Sequence, residues 1–277
     1  MSKHTVMKHW HLWVSVTALL LFGFLLSQDF LARIVWQKYG RPDVALWLVR
    51  QDADFALLLG NYYFGATIGK SEYDLEKAER AYKRAIAAKP GILWGHYQLA
   101  RIYFMKGDYA GALSEIALEL EANPENLRSL YVRGLIYGYR NYPGDLEKAE
   151  EDFRRFTFWA PKEWAGYNDL AWILFKQKKY QEAKEAIQTA LREVPDANGN
   201  PWLWNALGVA ELNLREYKNA KISFEKARNL AKNLTARDWR LAYPGNNPAD
   251  AESGLSAFRK AIEENLKRSQ TGVDNAR

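Results

Sequence analysis

Histidine, cysteine and paired carboxylates are the side chains that most often react or bind metals, and this chain places them in patterns that suit neither task. Its four histidines are His4, His9, His11 and His96. His9 and His11 stand two apart, whereas two ligands share one helical face at a spacing of four. They read as polar residues of the amino end, and His96 as a lone packed or exposed side chain. Cysteine is absent, which removes a thiolate nucleophile, a thiolate metal site and a disulfide framework together. No G-x-x-x-x-G-K-[ST] phosphate loop, G-x-S-x-G elbow or H-E-x-x-H pair occurs. Glu147, Glu150, Glu151 and Asp152 recur at helical spacing among lysines and read as a solvated face with i, i+4 pairs. The expectation is therefore no catalytic residue, no metal and no cofactor. Such a protein acts by binding.

What does recur is a pattern of side-chain sizes. Its clearest copy is Trp204, Leu207, Gly208, Tyr217, Ala220, Phe224 and Ala227. Before it come Tyr167, Leu170, Ala171, Leu174, Ala183, Ile187, Ala190 and Pro195. Gly134, Tyr137, Ala149, Phe153, Phe156 and Pro161 form another copy, with extra residues near Asn141–Gly144. Leu99, Ala100, Tyr103, Ala112, Ile116 and Pro124 form a fourth, with Glu119 where an alanine is expected. Leu59, Gly60, Tyr63, Ala78, Tyr82, Ala85 and Pro90 form the first, lengthened around Gly69–Glu72. Small residues such as Ala100, Gly134, Ala171 and Gly208 let two helices approach, and the bulky Tyr82, Phe153, Ile187 and Phe224 fill the space opposite. Proline cannot continue a helix, so Pro90, Pro124, Pro161 and Pro195 mark ends. Asp108–Tyr109, Gly144–Asp145 and Lys179–Tyr180 read as the corners between paired helices. The prediction is all-α.

This spacing resembles the tetratricopeptide repeat, W-x2-L-G-x2-Y followed by A-x3-F-x2-A and proline over roughly 34 residues. The resemblance covers residues 53–232 and implies an α-solenoid of about five helix hairpins, whose first helices line a concave groove that binds protein or peptide segments. Carrying the family's groove positions onto this chain selects Asn61 and Phe64, then Trp94, Tyr97, Arg101 and Phe104. It continues with Arg128, Tyr131 and Tyr139, then Asn168, Trp172 and Phe175, and finally Trp202 and Asn205. Rings give rigid contact area, amides bind an extended backbone, and arginine meets carboxylates in pairs of hydrogen bonds. The family's chaperone-tail clamp is not expected: Asn61 and Arg128 suit it, but Leu57, Gln98 and Val132 do not.

The ends differ from the repeats. Residues 9–28 contain no Asp, Glu, Lys or Arg, and twenty helical residues reach about 30 Å, the thickness of a bilayer core. Residues 1–28 are thus expected to be a tail and an uncleaved single-pass anchor. The protein would then sit in the cell membrane, with its repeats outside the cytoplasm. Residues 29–52 read as a degenerate capping half-repeat or a helical stalk. At the other end, residues 233–268 are expected to form a turn around Tyr243–Pro248 and a capping helix, and residues 269–277 a disordered tail. Net charge is +6, but Lys and Arg alternate with Asp and Glu instead of forming a basic stripe, which disfavours nucleic acid. The functional expectation is a membrane-anchored adaptor that binds protein segments and supports assembly of an envelope complex. The alternatives are an accessory subunit of a polysaccharide or secretion machine, or a nucleic-acid-binding repeat protein. The oligomeric state is not legible.

Overall fold

The computed structural model describes residues 3–65, 72–243 and 245–275; within its first helix the side chains at 3–9, 11, 12, 20–22, 25 and 26 fall outside that description. The lengthened connection at Gly69–Ser71 lies outside it as well. Among the described residues the structure is helical, with one isolated antiparallel bridge between Phe64 and Tyr73. The chain divides into two compact units, Met1–Gly95 and His96–Arg277.

The amino-terminal unit holds α1 (Lys3–Tyr39), α2 (Pro42–Leu48), α3 (Ala53–Tyr63) and α4 (Leu75–Ala88). α3 and α4 form a hairpin whose close approach needs Gly60, since a Cβ there would lie 2.3 Å from the Tyr82 ring. The Tyr82 hydroxyl donates back to Asn61 Oδ1 at 2.9 Å. α1 does not stop at Gln28, where the anchor was expected to end, but runs unbroken to Tyr39. Gln28 and Ala32 are buried, and the Trp36 ring lies 5.6 Å from Phe55 and 5.2 Å from Tyr62. Asp29 accepts the Arg50 N–H at 2.6 Å, and Arg33 pairs with Asp52 at 2.5 Å. Residues 29–52 are therefore the rest of α1 and a short helix, closed on the connection before α3 by hydrogen bonds and packed on α3 through Trp36.

This changes the reading of the apolar run. Among the described residues no helix is long and apolar enough to cross a membrane, which overturns the single-pass placement in the cell membrane and the extracytoplasmic placement of the repeats. The uncharged stretch is one portion of a longer helix, whose far portion carries Asp29 and Arg33 and packs against protein. Part of the stretch itself, including the side chains of Leu20 and Leu21, falls outside the described residues.

The carboxyl-terminal unit holds four hairpins and a cap. The hairpins pair α5 (Gly95–Met105) with α6 (Tyr109–Ala122), α7 (Leu127–Arg140) with α8 (Asp145–Trp159), α9 (Trp164–Lys176) with α10 (Tyr180–Glu193), and α11 (Pro201–Asn213) with α12 (Tyr217–Ala231). A Cβ on Gly208 would meet Phe224 at 2.7 Å, and one on Gly134 would meet Phe153 at 3.0 Å. Both rings are fully buried. α6, α8 and α10 each end two residues before Pro124, Pro161 and Pro195 respectively. Left-handed residues turn the chain after each first helix: Gly107, Asn141, Lys178 and Arg215, at φ of 78°, 54°, 60° and 62°.

Two departures from the repeat pattern have physical causes. Glu119 is buried where an alanine was expected; its carboxylate accepts the Tyr97 N–H and the Asn126 amide, each at 3.1 Å. It thereby satisfies an orphan donor at the start of α5 and fixes the side chain that caps α7. Lys232 stands where the last repeat lacks its proline. There Arg259 donates to the carbonyls of Ala231, Lys232 and Leu234 at 3.0, 3.3 and 2.8 Å. Arg259 belongs to the capping helix α14 (Ala251–Asn275), which follows the short α13 (Ala236–Ala242). The expected disordered tail is a correction: α14 continues through Ser269, which is fully buried, to Asn275. Gly272 permits this, because its Cα lies so close to Tyr217 that a Cβ would fall 2.3 Å from that ring.

Candidate functional site on the first helices

In the carboxyl-terminal unit the successive first helices α7, α9 and α11 touch side by side. Tyr139 of α7 lies 4.9 Å from Trp172 of α9 and 5.3 Å from Phe104 of α5. Lys176 of α9 donates to the Gly138 carbonyl at 2.6 Å and lies 4.8 Å from the Trp172 ring centroid. Gly138 is needed for this approach, since a Cβ there would lie 2.6 Å from Trp172 and Ile173.

The repeat register lines up one column on this face, three residues before each small residue: Tyr97, Tyr131, Asn168 and Asn205. Tyr97 is buried in the core between α5, α6 and α7. Tyr131 packs its ring 5.1 Å from Phe156 and 5.6 Å from Phe153 and donates its hydroxyl to Asp169 Oδ2. Asn168 donates its amide to the other Asp169 oxygen at 3.1 Å. Asn205 Oδ1 is buried and has no partner among the described residues.

Asp169 is the residue that sequence reasoning missed. The neighbouring repeats place Val132 and Ala206 at its position, both buried and apolar. A charged side chain there was the available signal, and periodicity averaged over five copies hid it. Among the buried acids of this unit, Glu211 accepts from the neutral Ser223 hydroxyl at 2.7 Å, whereas two others hold arginines. Arg133 holds Asp152 by two hydrogen bonds of 2.9 and 2.6 Å, and Arg140 holds Asp145 at 2.8 and 2.7 Å. Asp169 sits mid-helix with a phenol and an amide. Burial pushes its carboxyl up to about 6, against the lowering effect of the hydrogen bonds from Tyr131 and Asn168. Burial first, and the Asp169 charge second, also raise Tyr131, Tyr139 and Tyr243. Three phenols thus lie within electrostatic reach of one carboxylate.

At the carboxyl end of the face, Trp202 is 8% exposed and stacks between Trp164 at 5.3 Å and Phe258 at 5.6 Å. Its indole Nε1 is buried and acts as a donor toward the Tyr243 hydroxyl. Trp202 also borders a separate cavity of about 510 Å³, lined with Trp164, Val194, Asn200, Leu234 and Leu241.

The remaining expected groove residues are placed as follows. Asn61, Phe64 and Trp94 belong to the amino-terminal unit. Asn61 is engaged by Tyr82, Phe64 is buried at the end of α3, and Trp94 is 40% exposed on the connection to α5 at φ 71°. In the carboxyl-terminal unit, Arg128 is exposed at the start of α7. Arg101 donates to Gln98 at 2.8 Å and lies over the Tyr97 ring. Phe175 packs into the α9–α10 core. The structure thus brings Phe104, Tyr131, Tyr139, Asn168 and Trp172 together, with Trp202 and Asn205 adjoining, and turns Phe64, Tyr97 and Phe175 inward. His96 meets Glu115 at 2.7 Å. No cluster of three metal-ligating side chains occurs among the described residues.

Comparison with known proteins agrees with this architecture. Tetratricopeptide repeat family models match residues 164–197 and 203–233, so the chain carries tetratricopeptide repeats in an all-α solenoid. Among curated proteins it is 29% identical to cellulose synthase operon protein C of Pseudomonas fluorescens over 57% of this chain and 12% of that protein. It is 24% identical to the BBSome complex member BBS4 of Bos taurus, over 79% of this chain and 40% of that one. The chain therefore spans well under two thirds of the length of these relatives. Among solved structures, PilF of Pseudomonas aeruginosa is similar with a TM-score of 0.56 at 18% identity, over 80% of this chain and 97% of that one. YrrB, described as a tetratricopeptide repeat protein with an unusual peptide-binding site, gives 0.51 at 17% identity, over 66% and 88%.

Proposed function

We propose that this chain is a scaffold that holds an extended segment of a partner protein against the first-helix face of its carboxyl-terminal unit, and through it supports assembly of a larger complex. The observation that carries this reading is a buried acceptor on that face, Asn205 Oδ1, which has no partner among the described residues. An unmade buried hydrogen bond costs roughly 1–3 kcal/mol. A peptide backbone offers an N–H donor at every residue but proline, so an extended segment satisfies such an acceptor. The exposed ring of Tyr139 beside Trp172 supplies apolar contact area. The reading assigns the chain no reaction.

Photo-crosslinking in intact cells tests this. A crosslinkable residue at Trp172 or Asn205 should capture a discrete protein, and one at the exposed outer position Lys218 should not. Equal capture from all three positions refutes the assignment of the face. A second reading, an accessory subunit of a polysaccharide-synthesising machine, draws on the similarity to cellulose synthase operon protein C. It predicts that the captured protein belongs to such a machine.

A further inference from the structure

The proposed partner segment has a recognisable charge. From the placement of Asp169 among Tyr131, Tyr139, Tyr243 and Asn168, we infer that the first-helix face receives a basic side chain, lysine or arginine, from the bound segment. The inference rests on the reading of this face as a segment-binding groove.

Geometry carries it. Asp169 lies in the middle of α9, away from any helix N-terminus that could offset a negative charge. Its two hydrogen bonds come from neutral donors, Tyr131 and Asn168. No lysine or arginine among the described residues pairs with it, whereas Asp145 and Asp152 each hold an arginine by two bonds. A carboxylate that is mostly out of water costs stability unless a cation joins it. The surroundings suit a cation: phenol and indole faces attract positive charge. Trp172 already does so for Lys176, whose ammonium lies 4.8 Å from its ring centroid. Tyr139, 55% exposed and 4.9 Å from Trp172, presents a second ring to an incoming group. A divalent metal is a poorer occupant, because one carboxylate with a phenol and an amide falls short of the oxygen set that calcium or magnesium takes. Burial raises the carboxyl only to about 6, against the lowering effect of the Tyr131 and Asn168 hydrogen bonds, so the group is mostly charged near pH 7 when a partner arrives.

Fluorescein-labelled nonapeptide libraries supply the test. Their central residue is fixed as Arg, Lys, Gln or Glu, and their other positions are mixtures of uncharged residues. Fluorescence anisotropy against the full chain should show the Arg and Lys libraries binding roughly tenfold tighter than the Gln library, and the Glu library weakest. Asp169→Asn should remove that preference while retaining the Gln library's affinity and the native helical content. Equal binding of the Arg, Lys and Gln libraries, or a preference that survives Asp169→Asn, overturns the inference. If Trp172→Ala and Asn205→Ala weaken every library equally while Asp169→Asn changes none, the groove stands and its charge preference falls. If no library binds, or no groove variant alters binding, the groove reading falls and the inference falls with it.

Discussion

Replacing Asp169 by asparagine should make the free protein more stable, and by an amount set by pH. The carboxyl ordinarily titrates near 3.8 and is held at about 6 in the folded chain, chiefly by burial. The folded state therefore binds this proton more tightly than the unfolded state does. Its contribution to stability is complete below 3.8 and is lost as pH rises through 6. Above that, the charged group penalises folding by up to about 3 kcal/mol, at ~1.4 kcal/mol per tenfold ratio. Asparagine keeps an acceptor oxygen for Tyr131 and can donate its amide to Asn168 once that side-chain amide turns its own oxygen inward, but it cannot ionise. The variant should gain up to about 3 kcal/mol at pH 7.5, falling to about 1 kcal/mol at pH 4.5. In thermal melting followed by circular dichroism, a gain of that size appears as roughly 5–10 °C at the higher pH. A variant that melts at or below the native temperature at pH 7.5 refutes the reasoning. So does a gain of the same size at both pH values.

Packing and capping give three further expectations. Gly208→Ala should cost about 1–3 kcal/mol, since its Cβ would fall 2.7 Å from Phe224. Gly134→Ala should cost less, because Phe153 is 3.0 Å away, and denaturant midpoints of the two variants decide the order. Glu119→Ala should destabilise the α5–α7 region by roughly 1–3 kcal/mol, since the Tyr97 N–H and the Asn126 amide lose their acceptor; hydrogen exchange at Tyr97 should accelerate. Arg259→Ala should free three carbonyls at the end of α12, so exchange protection should drop in α12 and α14 before it drops in α9.

The solenoid was legible because its instructions are local and repeated. Gly134, Ala171 and Gly208 each face a large side chain on the next helix, and one such pairing is ambiguous where several in phase are not. The prolines marked the helix ends for the same reason. The amino end was misread because hydropathy counts residues without knowing their neighbours. Composition does not show where the helix holding the uncharged run ends, and the burial of Ala32 and the contacts of Trp36 place only its far portion on protein. The tail was misread because Ser269 and Gly272 carry no apolar signal, yet Ser269 is buried and Gly272 allows α14 to lie against Tyr217. On the candidate site, types and register selected Tyr131, Asn168, Trp172 and Asn205 as groove residues. They could not rank Tyr97 or Phe64, whose burial depends on which neighbouring helix supplies the covering side chain. Asp169 was passed over because the family's groove positions fall on either side of it.

A carboxylate at a position that neighbouring repeats fill with Val132 and Ala206 is poorly explained by stability alone. Chains often keep locally unfavourable groups where function needs them. If a basic side chain relieves the penalty, binding and ionisation of Asp169 are linked, and the linkage can be measured. The titratable groups within reach of Asp169 are Tyr131 and Tyr139 on α7 and Tyr243, and all three are raised, so they stay neutral near pH 6. At that pH the carboxyl is about half protonated. A bound cation favours the ionised form, so each Arg-centred peptide that binds should release about half a proton. Near pH 8, where the group is already charged, it should release almost none. Calorimetry in buffers of different ionisation enthalpy counts these protons directly. Release that is absent at both pH values, or unchanged in Asp169→Asn, would mean that the bound segment never meets this carboxylate.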